Sequence, residues 1–137
     1  MPLPVVPFLK IPEDGEPWLE GCVCRRCDTT YTGQRLACAR CGARDSLETK
    51  RLSRSGTLHT FSIVHRSFPG IPVPYVSAVV DLDGGGSLKA NLIGVPPDPQ
   101  HIPFGLPVEV TFADALGRKD RNGNSYLSYF FQPRTAR

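Results

Sequence analysis

The feature that most constrains this chain is a pair of short cysteine repeats near its start: Cys24-Arg25-Arg26-Cys27, ten residues, then Cys38-Ala39-Arg40-Cys41. A CxxC turn carries two sulfurs on one tight loop, and two such turns can close four thiolates around one tetrahedral zinc ion. The spacing therefore predicts a metal-pinned ribbon with Cys24, Cys27, Cys38 and Cys41 as ligands. Four sulfurs fill the shell and leave no position for water, so the expected zinc is structural rather than catalytic. Gly42 directly follows Cys41, where a residue without a β-carbon eases the turn. Cys22 lies two residues before the first ligand and is read as a spare thiol, because a Cys-x4-Cys loop is less favourable than CxxC.

A ribbon of this size buries little core, so the metal has to supply much of its folding free energy. The 137 residues leave room for one further domain of about 80 to 100 residues. With 13 glycines and 14 prolines the chain suits short strands and many turns better than long helices. Five cysteines cannot all pair within one chain, and reduced CxxC pairs point to a reducing compartment. The first ten residues lack a basic start followed by an apolar stretch, and no run approaches the roughly 18 apolar residues of a membrane span. The expected location is cytoplasmic, with no membrane partner.

Charge is uneven along the chain. Residues 22–54 hold eight Arg/Lys against three acids, whereas residues 1–21 hold one Lys against four acids. Zinc-bound thiolates would lower the formal +3 to about +1. The basic stretch suits nucleic acid, a phosphorylated cofactor, an acidic protein surface, or plain solvation.

Residues 1–20 read as an arm, since Pro2, Pro4, Pro7, Pro12 and Pro17 exclude a regular helix over most of it. Helix is expected only around residues 16–21. Phe8, Ile11 and Trp18 either form a partner surface or fold back on their own domain. The ribbon occupies residues 21–49. From residue 50 to 137 the pattern is β: runs at 52–64 and 75–83, a turn at Asp83-Gly84-Gly85-Gly86, matching alternation at Leu88, Ala90 and Leu92, a run at 106–113, and a last strand over 126–132 after Asn122-Gly123. Five strands with adjacent glycines fit a small, partly open OB-type barrel, with a short sandwich as the competing architecture.

Taken in order, several stretches resemble a known family. They are the two CxxC pairs, Ser55-Gly56-Thr57 entering Phe61-Ser62-Ile63-Val64, Pro74-Tyr75-Val76-Ser77-Ala78-Val79-Val80-Asp81-Leu82-Asp83, and Gly105-Leu106-Pro107-Val108-Glu109-Val110. Together they resemble the acyl-CoA-associated zinc-ribbon/OB-fold proteins, first catalogued as a domain of unknown function. The resemblance implies a mainly β chain: an N-terminal arm, a rubredoxin-like zinc ribbon and a five-stranded OB-fold barrel. It also implies a noncatalytic subunit in a hetero-oligomer with a thiolase-fold enzyme, helping to shape an acyl-CoA tunnel while the chemistry stays in the partner. Coenzyme A or acyl-CoA would then be shared with that partner. Arg25, Arg26, Arg35 and Arg40 would face an acidic partner or the phosphates of coenzyme A, and the loop from Phe68 to Tyr75 would face the partner or simply cap the barrel. The proline-rich stretch 96–103 and the insertion at 117–125 depart from the family pattern.

The residues themselves build no independent active site. His59 and His65 share one strand face but lie about 20 Å apart, too far to share a proton. Asp81 and Asp83 are explained by the glycine turn. Thiolytic cleavage, condensation, acyl transfer and retro-aldol cleavage all remain open as the partner's reaction. The aromatic residues Phe61, Phe68, Tyr75, Phe112, Tyr126, Tyr129, Phe130 and Phe131 raise a second reading, single-stranded nucleic-acid binding on an OB face. The near-neutral charge of residues 55–137, seven Arg/Lys against six acids, weighs against it.

Overall fold

The computed structural model describes residues 2–134. Among them run ten strands: β1 (Leu3–Pro4), β2 (Leu9–Lys10), β3 (Trp18–Cys24), β4 (Thr30–Thr32), β5 (Leu47–Arg51), β6 (Ser55–Val64), β7 (Tyr75–Leu82), β8 (Ser87–Leu92), β9 (Pro107–Lys119) and β10 (Ser125–Pro133).

The last five strands close into a ring in the order β6-β7-β8-β10-β9 and back to β6. All contacts in the ring are antiparallel except that of β8 with β10, a parallel contact of one residue pair, Leu92 with Phe131. This is the five-stranded OB barrel, not the sandwich. Period-2 alternation builds it: Val76, Ala78, Val80 and Leu82 of β7 point inward and are at most 5% exposed. They meet Leu58, Leu88, Leu92, Val108, Val110 and the fully buried Phe131. Ile102 joins this core from just beyond a 3-10 turn, Pro99–His101, whose N-cap Asp98 accepts the Gln100 N–H at 3.0 Å. That turn lies within the proline-rich stretch.

β9 runs six residues beyond the expected end at 113. Alternation fails there because of a wide bulge: Leu127 faces Asp114, yet Ser125 already faces Lys119. Beyond it the hairpin tip is tied by Asp120, whose carboxylate accepts the backbone N–H of Asn122 and Asn124 and the Asn124 side-chain amide.

The arm folds back. β1 lies parallel to β10, β2 pairs antiparallel with β3, and Leu9 is 1% exposed in the barrel's own core cluster. Phe8 packs on Tyr129 with ring centroids 5.7 Å apart. The helix expected at 16–21 is instead the start of β3. Gly21 and Cys22 are buried between β4 on one side and β5 on the other, and these two strands satisfy the backbone of residues 20–24. A β-carbon on Gly21 would run into the Tyr31 carbonyl, so only glycine permits that approach. Two hydrogen bonds tie the ribbon sheet to the β7–β8 turn: Lys50 Nζ to the Gly84 carbonyl and Thr32 Oγ1 to the Ser87 carbonyl, each 2.9 Å.

Candidate metal centre

The two knuckles are built alike. In the first, the Cys24 N–H donates to the Thr29 carbonyl at 2.9 Å and the Asp28 N–H to the Cys24 carbonyl at 2.7 Å. In the second, the Cys38 N–H donates to the Ala43 carbonyl and the Gly42 N–H to the Cys38 carbonyl, both at 2.9 Å. The residue after the second cysteine of each turn has positive φ, 75° at Gly42 and 62° at Asp28. Asp is among the few side chains that tolerate this region.

The turns bring the four sulfurs together. Cys24 Sγ is 3.7 Å from Cys41 Sγ, Cys27 Sγ is 3.5 Å from Cys38 Sγ, and all four lie within 4.8 Å of one another. A zinc–sulfur bond of about 2.3 Å would set tetrahedral ligand sulfurs about 3.8 Å apart. The cluster therefore has the donor type, number and spacing that zinc needs. Cys22 is fully buried in the middle of β3 and lies outside this group.

Surrounding groups already favour thiolate at two positions. Cys38 is pulled down to about 6, chiefly by the Tyr31 hydroxyl at 3.3 Å and then by backbone N–H groups of Cys41 and Arg40. Cys27 is lowered by the side chain and backbone of Thr29, whose Oγ1 is 3.2 Å from its sulfur. Cys41 behaves oppositely. The Ala43 N–H favours its thiolate, but desolvation and the three neighbouring sulfurs outweigh it and push the thiol up to about 11. Four thiols this close do not all ionise by themselves, and a dication among them is the charge that would allow it.

Tyr31 was invisible in the sequence pattern. It accepts the Ala39 N–H at 3.0 Å, approaches Cys38 and lies under the Arg35 guanidinium, 4.4 Å from ring centroid to Cζ. Arg25, Arg26, Arg40 and Arg44 are exposed around the knuckles, and Arg25 reaches Glu48 at 3.8 Å and the Asp45 carbonyl at 3.0 Å.

The structure does not bring His59 and His65 together. His59 Nδ1 faces Asp81 Oδ2 at 2.9 Å on the barrel surface, and His65 falls just past the end of β6. Of the aromatic residues considered for base stacking, Phe130 and Phe131 are buried, and Phe61, Phe112 and Tyr129 pack on the core. Phe68 stands out at 79% exposed, as does Phe104 at 72%, whose ring centroid lies 5.6 Å from that of Phe61.

Ribbon and ring together define an OB-fold protein carrying a four-cysteine ribbon. A family model described as the C-terminal OB-fold domain of ChsH2 matches residues 49–113. A DUF35 domain-containing scaffold protein of Methanocaldococcus jannaschii is 30% identical over 117 residues, 84% of this chain and 81% of that protein. The benzoylsuccinyl-CoA thiolase subunit BbsA of Thauera aromatica is 30% identical over 126 residues, 91% of this chain and 83% of the subunit. A solved structure described as an Ltp2-ChsH2(DUF35) aldolase superimposes with a TM-score of 0.66 at 27% identity, covering 85% of this chain and 84% of that one. The chain belongs to the DUF35 family.

Proposed function

We propose that this chain is a noncatalytic partner subunit of a thiolase-type acyl-CoA enzyme, supporting assembly and acyl-CoA binding. The observation that carries the reading is the match to a thiolase subunit along nearly its whole length, ribbon and barrel together. In this reading Cys24, Cys27, Cys38 and Cys41 hold one structural zinc, which supplies the ribbon with the rigidity that its small core lacks. The chain then has three units: an arm over 1–20, the ribbon over 21–49 and the OB-fold unit over 50–137. Phe68, Phe104 and Val73, all exposed, offer apolar contact for a thiolase-fold partner, and the exposed arginines of the ribbon offer a basic surface of their own. A reducing cytoplasm suits the thiolates. Among the described residues no helix is long and apolar enough to cross a membrane.

The likeness to an aldolase assembly favours a second reading, in which the partner is a retro-aldolase acting on acyl-CoA side chains. Co-purification with the thiolase-fold protein of the host, followed by thiolysis and retro-aldol assays with and without this chain, separates the two. Activity that needs this chain assigns the reaction. A partner equally active alone refutes the subunit role.

A further inference from the structure

Where β8 meets β10 through one residue pair, the outer surface of the barrel is grooved. One half is a depression of about 290 Å³ whose walls include Ile71, Pro74, Ile93 and Val95. The other half, about 230 Å³, is bordered by Lys89 and Arg118. Leu116, Asn91 and Phe130 line both, so the halves adjoin. Leu116 is placed there by the β9 bulge, which sets it at φ 55° and is braced by the Gly117 N–H donating to Asp114 Oδ2 at 2.6 Å. A leucine rarely adopts that conformation. It also stays 53% exposed, so burial of its own side chain does not account for the strain. Bulges of this kind re-aim side chains beside binding sites. Among the described residues neither Lys89 nor Arg118 has an ion-pair partner.

An apolar wall that adjoins a depression bordered by two cations without ion-pair partners suits an aliphatic chain that ends in an anion. We propose that this groove binds an aliphatic carboxylate, its chain against Ile93 and Val95, its head at Lys89 and Arg118, and Leu116 packed between. An acyl thioester of coenzyme A also joins a chain to anions. Its phosphates, however, are separated from the acyl group by the whole pantetheine arm, whereas these cations border the half of the groove that adjoins the apolar wall. The assignment is independent of the subunit reading, because it is tested on this chain alone.

Calorimetric titration of the full chain with decanoate, decanol and decanoyl-CoA tests it. Decanoate binds, decanol binds about tenfold more weakly for want of the charge-assisted contacts, and decanoyl-CoA binds no tighter than decanoate. The double variant Lys89→Ala with Arg118→Ala brings decanoate to the level of decanol with an unchanged unfolding temperature. Leu116→Gly, a residue at ease at that φ, weakens decanoate and decanol alike. Absence of decanoate binding, equal binding by the double variant, or a clear preference for decanoyl-CoA overturns the proposal.

Discussion

Gly56 sits where β6 pairs with two strands at once, Leu82 of β7 on one side and Val108 of β9 on the other. A β-carbon there would lie 2.5 Å from the Asp81 carbonyl oxygen, 2.8 Å from Val80 Cγ1 and 3.1 Å from Leu82 Cα, against an ordinary contact of 3.4–4 Å. The nearest atom belongs to the backbone and cannot rotate aside, so Gly56→Ala must push β6 off β7 at the point that closes the ring. Overpacking of this kind costs up to about 3 kcal/mol. At the full cost of about 3 kcal/mol, and for a unit the size of the OB-fold segment, that lowers the unfolding temperature by about 12 to 24 °C. Gly70→Ala is the control. Nothing lies within 4 Å of its added carbon and its φ is 90°, so its cost is conformational alone, about 1 to 2 kcal/mol. Thermal unfolding followed by far-ultraviolet circular dichroism, with zinc present throughout, compares them. A Gly56→Ala protein that melts within about 3 °C of the parent, or above Gly70→Ala, would show that the strands are not held as closely as the geometry requires.

Zinc should be present at about one ion per chain, and Cys38→Ser combined with Cys41→Ser should remove it; unchanged metal content by mass spectrometry refutes the ligand assignment. Chelation should open trypsin sites at Arg25, Arg26, Arg35 and Arg40 while the OB-fold unit resists cleavage, and simultaneous loss of both would show that the barrel depends on the metal. Tyr31→Phe keeps the ring but loses the hydroxyl beside Cys38, so zinc affinity in chelator competition should fall by about 10- to 100-fold at unchanged stoichiometry; an unaltered affinity refutes the supporting role. Asp120 is held below its ordinary value, first by the Asn124 side chain and then by backbone N–H groups. A depressed carboxylate stabilises the fold fully above its unfolded value and loses that contribution as pH falls through the lowered folded one. The Asn124 amide resonance should therefore report a midpoint below the ordinary carboxylate range, and a midpoint at or above it contradicts the capping geometry.

What could be read from the sequence depended on whether the signal was local. The CxxC spacing located the sulfur cluster because each knuckle is a self-contained turn whose hydrogen bonds span at most five residues. The β7–β8 hairpin was equally legible, since Val76, Val80 and Leu82 alternate into a glycine turn and Leu88 and Leu92 resume the pattern. β3 was not legible as a strand from Trp18. Its partners lie up to 31 residues away, at Arg51 and Thr32, and adjacent Gly21 and Cys22 are both buried, which breaks the period. The far end of β9 was hidden for a related reason: a bulge inserts residues that obey no alternation. Tyr31 gave no signal because a lone aromatic between two threonines acquires meaning only when Cys38 arrives beside it.

The order of closure in the ring also governs how the protein can be divided. β10 is the last of the described strands yet joins β8 to β9, and β1 of the arm lies on it as well. A fragment restricted to the family-matched segment 49–113 would thus lack the joining strand and display two unsatisfied edges, on β8 and β9, flanked by the apolar residues meant for the interior. Exposed edges of that kind recruit other chains. Such a fragment should self-associate, so a minimal soluble OB-fold unit has to extend through Pro133.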